Sequence, residues 1–156
     1  MIRKNTRRLL PVIVLLGITL ALFGTHLFSS HVIGSTYWDT DVSYYLKLRD
    51  YAFGQDGPVP RWNTLDMCGV PLVAEIQSGL FYPPNIVFLF VPLERAVNIT
   101  ILLHVFLLAA FTYSLARQMT LSRHGSLIAA VTMSLCGPVT LAIFAGHLSN
   151  LYTITW

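Results

Sequence analysis

The stretch Val97-Asn98-Ile99-Thr100-Ile101-Leu102-Leu103-His104-Val105-Phe106-Leu107-Leu108-Ala109-Ala110-Phe111-Thr112-Tyr113-Ser114-Leu115-Ala116 contains no Asp, Glu, Lys or Arg. Twenty residues at about 1.5 Å rise give about 30 Å, the thickness of a bilayer's hydrocarbon core. Two further runs have the same character: residues 9–28 and residues 125–145. The composition agrees, with 54% of the 156 residues hydrophobic and 11% charged. Soluble domains carry about 25% charged residues, so these charges are too few to coat a soluble protein of this size. The apolar residues are also gathered into blocks, as bilayer spans require. The fold class that follows is an all-α membrane protein with three transmembrane helices.

The charges orient the chain. Arg3, Lys4, Arg7 and Arg8 precede the first run, and Arg117 and Arg123 lie between the second and third. All seven acids lie between Asp39 and Glu94. Positive-inside counting therefore puts residues 1–8 and 117–124 in the cytoplasm, and residues 29–96 and 146–156 outside. The basic head is too short and too close to a span to suggest nucleic-acid binding. A cleaved signal peptide is the alternative reading of residues 1–28. The length of the run and the poor cleavage site at Gly24-Thr25-His26 argue against it.

Within the spans, Pro11 falls in the first turn, where its missing N–H costs little. Ser126, Ala130 and Ser134 form a small-residue stripe at four-residue spacing, and Gly17 and Ala21 stand in a similar relation. Small residues let helices approach closely. Gly137-Pro138 predicts a kink in the third span. Cys68 and Cys136 fall in different environments and show no metal-ligand spacing.

The outer segment 29–96 is rich in Tyr, Trp and Phe, which suits a folded element at the membrane interface. The pattern from Asp41 to Phe53 predicts a short amphipathic helix on the bilayer surface. Breaks are expected at Gly57-Pro58-Val59-Pro60, Gly69-Val70-Pro71 and Pro83-Pro84. Asn85 is placed to cap a short apolar piece, Ile86 to Val91, that dips into the interface and returns at Pro92. Asp39 and Asp41 follow the first span closely. A carboxylate at a membrane surface serves as a general base or a metal ligand, and a divalent cation is the cofactor such a role would bring. A solvated loop with a helix cap accounts for the same two acids.

Several short runs occur in a characteristic order: Trp38-Asp39-Thr40, Pro60-Arg61-Trp62-Asn63-Thr64, Cys68-Gly69-Val70-Pro71-Leu72, Gln77-Ser78-Gly79-Leu80-Phe81-Tyr82-Pro83-Pro84-Asn85, Leu103-His104 and Gly146-His147-Leu148. In order and rough spacing, across residues 37–156, the chain resembles the amino-terminal part of YfhO-like bacterial membrane proteins of the C-type glycosyltransferase superfamily. It departs from that pattern at Thr64, where relatives usually have proline. The resemblance implies a polytopic protein of the bacterial cytoplasmic membrane with many more spans. It also implies a polyprenyl-phosphate-sugar donor and a catalytic carboxylate in the first outer loop. That carboxylate maps to Asp39, with Asp41 the nearest competitor. Further transmembrane helices are then the expected partners, beside membrane lipid. The chain alone is expected to be inactive, as an amino-terminal fragment or a truncated frame.

Under that reading Arg61 supplies positive charge to the leaving phosphate, ahead of Arg49 or Arg95. Trp62 stacks on a sugar ring or anchors at the interface. Asn63, Glu75 and Gln77 are candidates for substrate contact, although Glu75 and Gln77 equally suit loop backbone groups. His104, an ionisable residue inside a span, either meets substrate or bonds a neighbouring helix. His147, where the third span re-emerges, faces the same outer cavity or caps a helix. A non-catalytic scaffold, lipid-handling component or transporter part is the competing function. In intact cells, a membrane-impermeant maleimide should label Asp66→Cys from outside, in a background with Cys68→Ser and Cys136→Ala. Labelling only after permeabilisation would invert the topology.

Overall fold

A computed structural model describes residues 2–34, 62, 68–69, 71, 74, 79 and 81–156, with only the backbone described for 2–9. The described residues are mostly helical and contain no strand. Three segments are long and apolar enough to cross a membrane: Leu10–Phe28, Leu93–Gln118 and Arg123–Ala145. The expected surface helix from Asp41 to Phe53 lies outside the described residues.

Helix α1 spans Ile2–Phe23 and tightens into a 3₁₀ turn over Gly24–Phe28. Because α1 begins at Ile2, Pro11 lies in its interior and not in its first turn. Pro11, Leu15 and Thr19 are buried at four-residue spacing and form the face that meets the bundle. The Gly17 and Ala21 pairing is corrected accordingly. A side chain added at Gly17 would meet nothing within 4 Å, and Ala21 is exposed. The reason is angular: two residues around a helix from Leu15 is about 200°, which is the far side. Leu10, Ile13, Val14, Leu16, Leu20 and Leu22 are all exposed, an apolar surface that suits lipid and not water.

After a 3₁₀ turn at Pro83–Ile86, the one-turn helix α2 (Val87–Phe90) buries Phe88 and leaves Ile86 and Phe90 outside. Pro92 then opens the long α3, Leu93–Gln118, which starts four residues earlier than the apolar run that marks it. Its buried positions include Val97, Ile101, His104, Val105 and Leu108, the three- and four-residue alternation of a helix with one packed face.

The turn from α3 to α4 (Arg123–Ser134) occupies only residues 119–122. The Leu121 N–H donates to Ala116 O at 3.1 Å and the Thr120 N–H to Arg117 O at 3.2 Å. This places Thr120, at φ 66°, in the left-handed position that usually favours glycine. The Ser122 hydroxyl caps α4 by accepting from the Gly125 N–H at 3.1 Å. The small-residue stripe packs as expected, since Ser126, Ala130 and Ser134 are all buried. Leu15, Ala109 and Ala130 meet where α1, α3 and α4 come together. Two alanines there let the backbones approach.

Gly137-Pro138 produces a break: α4 ends at Ser134 and α5 runs Gly137–Ala145, with the proline in its first turn. Thr140 Oγ1 donates to the Cys136 carbonyl at 3.1 Å, engaging an oxygen at the break. Gly146, at φ 76°, closes α5 with a left-handed turn. The chain then forms another helix, α6 (Leu148–Thr155), which packs against α3. The main core joins Phe88, Val97, Ile101, Val105, Leu108, Val139, Ile143, Leu148 and Leu151.

One side chain secures the carboxy-terminal end of α1. Asn98, fully buried on α3, donates through Nδ2 to His26 O at 2.8 Å and His31 O at 2.9 Å. Its Oδ1 accepts the Ile33 N–H at 2.9 Å. The carboxamide therefore engages three backbone groups at the end of the 3₁₀ turn and just beyond it, and the His26 carbonyl also accepts the Ser29 N–H at 3.2 Å. Asn98→Ala removes the partner of the Ile33 N–H and of the His31 carbonyl and one of two partners of the His26 carbonyl, and should lower stability by about 2–3 kcal/mol in equilibrium unfolding from micelles. A change below about 0.5 kcal/mol would show that water or lipid replaces the amide without cost.

Candidate functional site

Of the sequence-predicted residues, Asp39, Asp41, Arg61, Asn63, Glu75 and Gln77 lie outside the described residues. Trp62, His104 and His147 are described, and they occupy three different settings.

Trp62 is exposed. A side chain at Gly69 would stand 2.5 Å from Trp62 Nε1, so the indole edge lies directly on the glycine. Cys68 and Gly69 both have positive φ, 65° and 112°. The close approach and the turn both require glycine at position 69.

His104 is fully buried and lies at the centre of a cluster the sequence did not indicate. Its Nδ1 is 2.7 Å from the Thr100 carbonyl oxygen, which can only accept, so Nδ1 carries the proton. A neutral imidazole then accepts at Nε2, and the Tyr82 hydroxyl donates to it at 2.6 Å. Trp156 Nε1–H donates in turn to the Tyr82 oxygen at 2.8 Å. One directional chain results, from Trp156 through Tyr82 and His104 to the backbone of α3. Both imidazole nitrogens have partners inside the protein, so His104 holds Tyr82 in place.

A second connection runs beside it. The Tyr152 hydroxyl donates to Asn85 Oδ1 at 2.9 Å, and Asn85 Nδ2 donates to Gly79 O at 2.9 Å. Asn85 therefore does not cap the Ile86–Val91 piece; no side-chain cap occurs there, because the carboxamide is turned toward α6 and Gly79. The Tyr152 ring stacks on Tyr82 and tilts against His104, both at 4.5 Å between centroids. Phe111 lies 5.4 Å from the Trp156 ring. Offset aromatic pairs of this kind contribute about 0.5–1.5 kcal/mol beyond burial. Thr100 Oγ1 is the buried side-chain atom among the described residues that lacks a partner.

His147 is exposed and separate from this cluster. On α6, Leu148, Leu151, Tyr152 and Thr155 face inward, while Asn150, Thr153 and Ile154 lie on the opposite side. His147 belongs with the latter and lines a cavity of about 330 Å³ between α5 and α6. His104 and His147 therefore do not share one chamber. His147 initiates α6 by position, but its side chain makes no capping bond.

These contacts bring both ends of the acid-bearing segment onto one helix. Residues 26–33 hang on Asn98, and Tyr82 hangs on His104. The two anchors are six residues apart on α3, about 9 Å along the axis. Asn98 carried a legible signal, as a carboxamide within an apolar run; Tyr82, Tyr152 and Trp156 carried none beyond aromaticity. Among the described residues there is no group of three His, Cys, Asp or Glu side chains placed to hold a metal ion.

Tyr82→Phe leaves His104 Nε2 and Trp156 Nε1 without partners and should cost about 1–3 kcal/mol. Combined with His104→Leu, the loss should fall short of the sum of the single changes by about 1 kcal/mol, measured as a double-mutant cycle. Strict additivity would mean that the Tyr82–His104 bond contributes nothing. No family model, curated protein or solved structure matches the chain.

Proposed function

We propose that this chain is the amino-terminal part of a polytopic glycosyltransferase in the bacterial cytoplasmic membrane, amino terminus inside. It moves a sugar from a polyprenyl-phosphate donor to an acceptor hydroxyl on the outer face. The observation that supports this reading is the pair of anchors on α3. Asn98 and His104 hold the two ends of the segment that carries Asp39, Asp41 and Arg61. A catalytic group is useful only where its position is fixed, and ends held about 9 Å apart along α3 restrict where the segment can reach.

The chemistry follows from the residue types. Asp39 accepts the proton of the acceptor hydroxyl as its oxygen attacks the anomeric carbon. The bond from that carbon to the phosphate oxygen breaks, and its electron pair departs with the polyprenyl phosphate. Arg61 offers two parallel N–H donors to the departing phosphate oxygens. Trp62, Asn63, Glu75 and Gln77 are the groups proposed to meet the sugar. His104 acts here through Tyr82, not by touching the donor. Were a divalent metal ion part of the site, Asp39 and Asp41 would be the carboxylates to hold it, and it would supply positive charge to the phosphate.

A second reading has its own support. His104 and Tyr82 bond each other, Asn85 and Tyr152 do so beside them, and each of these four side chains has a partner within the protein. A non-catalytic scaffold would use such a network only to tie a surface segment to its helices.

Asp39→Asn in the full-length protein separates the two. Transfer of radiolabelled sugar from lipid phosphate in membrane vesicles should fall by about 10²–10⁴-fold, with insertion unchanged. Asp41→Asn should fall far less. Full transfer activity in Asp39→Asn would dismiss that residue as the base, and absence of transfer by the unaltered protein would favour the scaffold.

A further inference from the structure

The cavity between α5 and α6 has walls of two kinds. Pro138 and Leu141 form an apolar side, while His147, Asn150 and Thr153 form a polar ladder with Ile154 at its edge. The ladder has three-residue spacing, so its members fall on one side of α6 at successive turns. The Thr153 hydroxyl already donates to Ser149 O at 3.0 Å, which leaves its lone pairs to accept. The His147 imidazole and the Asn150 carboxamide have no hydrogen-bond partner among the described residues. The side chains of Thr140 and Tyr152, on the same two helices, do have partners.

The location matters as much as the lining. The cavity extends back along the third apolar segment, Arg123–Ala145, to Pro138, and its other end, at His147, lies just past that segment. In a helix that crosses a bilayer, this is the level where hydrocarbon gives way to headgroups. Leu141 is 65% exposed at the cavity's edge, and with Pro138 it makes an apolar strip running back along α5. A ligand suited to both features has an acceptor-rich polar head and an attached hydrocarbon chain. The volume of about 330 Å³ takes a phosphate and glycerol unit but not the acyl chains.

We propose that this groove is a binding site for a bilayer phospholipid. The phosphate oxygens accept from the imidazole N–H of His147 and the carboxamide N–H of Asn150. The glycerol region lies by Thr153, and an acyl chain follows Leu141 and Pro138. The assignment is independent of glycosyl transfer, because it uses neither the acid-bearing segment nor the His104 cluster.

The test is native mass spectrometry of the full chain released from micelles, titrated in parallel with phosphatidylglycerol, with diacylglycerol of the same acyl chains, and with undecaprenyl phosphate. The expected result is a retained phosphatidylglycerol adduct and none with diacylglycerol. Asn150→Leu and His147→Gln should each weaken that adduct about tenfold, or about 1.4 kcal/mol. Both positions are exposed, and far-ultraviolet circular dichroism checks that the helices persist. Should one variant fail to fold, the other carries the comparison. Equal retention of diacylglycerol would overturn the proposal, as would an unchanged adduct in a folded variant. Displacement of phosphatidylglycerol by a lower concentration of undecaprenyl phosphate would assign the groove to that lipid instead and equally end the phospholipid assignment.

Discussion

Backbone N–H and C=O groups that leave a helix inside an apolar bundle must find partners, because neither hydrocarbon nor packed side chains will supply them. Asn98 is how this chain meets that constraint beyond the carboxy-terminal end of α1. One carboxamide offers two donors and an acceptor, and all three are used on His26, His31 and Ile33. The 3₁₀ turn at Gly24–Phe28 and the exit behind it contain no fully buried residue, and Asn98 ties them to α3.

The same constraint explains the buried hydroxyls and the break in the third segment. Thr19, Ser126 and Thr155 each donate to a carbonyl four residues back in their own helix. At Gly137-Pro138 the proline cannot donate, and helical pairing resumes with the Thr140 N–H on the Cys136 carbonyl, which also accepts the Thr140 hydroxyl. The short α5 can then turn through Gly146 and return the chain as α6. That return brings Tyr152 and Trp156 to His104, so the cluster depends on a break far from it in sequence.

The cluster gives α3 a dual role. Its packed face carries Val97, Ile101, Val105 and Leu108, and among them stand the two polar residues that anchor the chain on either side of the acid-bearing segment. Hydrogen bonds inside a low-dielectric bundle are individually modest, but leaving them unmade is costly. Anchors of this kind restrict position more than they add stability, and restricted position is what the proposed chemistry would draw upon.

The helical class, the three apolar segments and the buried face of the third were legible from residue types alone. Each depends on hydropathy or spacing summed over many residues, as in the Ser126, Ala130 and Ser134 stripe. Single-residue roles were less legible. Asn85 looked like a helix cap because local sequence favours one, yet Tyr152 offered its amide a distant partner. Gly17 looked like a contact because it is small, but the packed face is chosen by Leu15 meeting Ala109 and Ala130, an outcome of three helices together. His104 was visible as a polar residue in an apolar run, whereas its tautomer and its role as a clamp required the Tyr82 hydroxyl and the Thr100 carbonyl at fixed distances. Composition and periodicity constrain what is averaged along the chain; tertiary structure decides which donor meets which acceptor, because that depends on residues brought together across the whole chain.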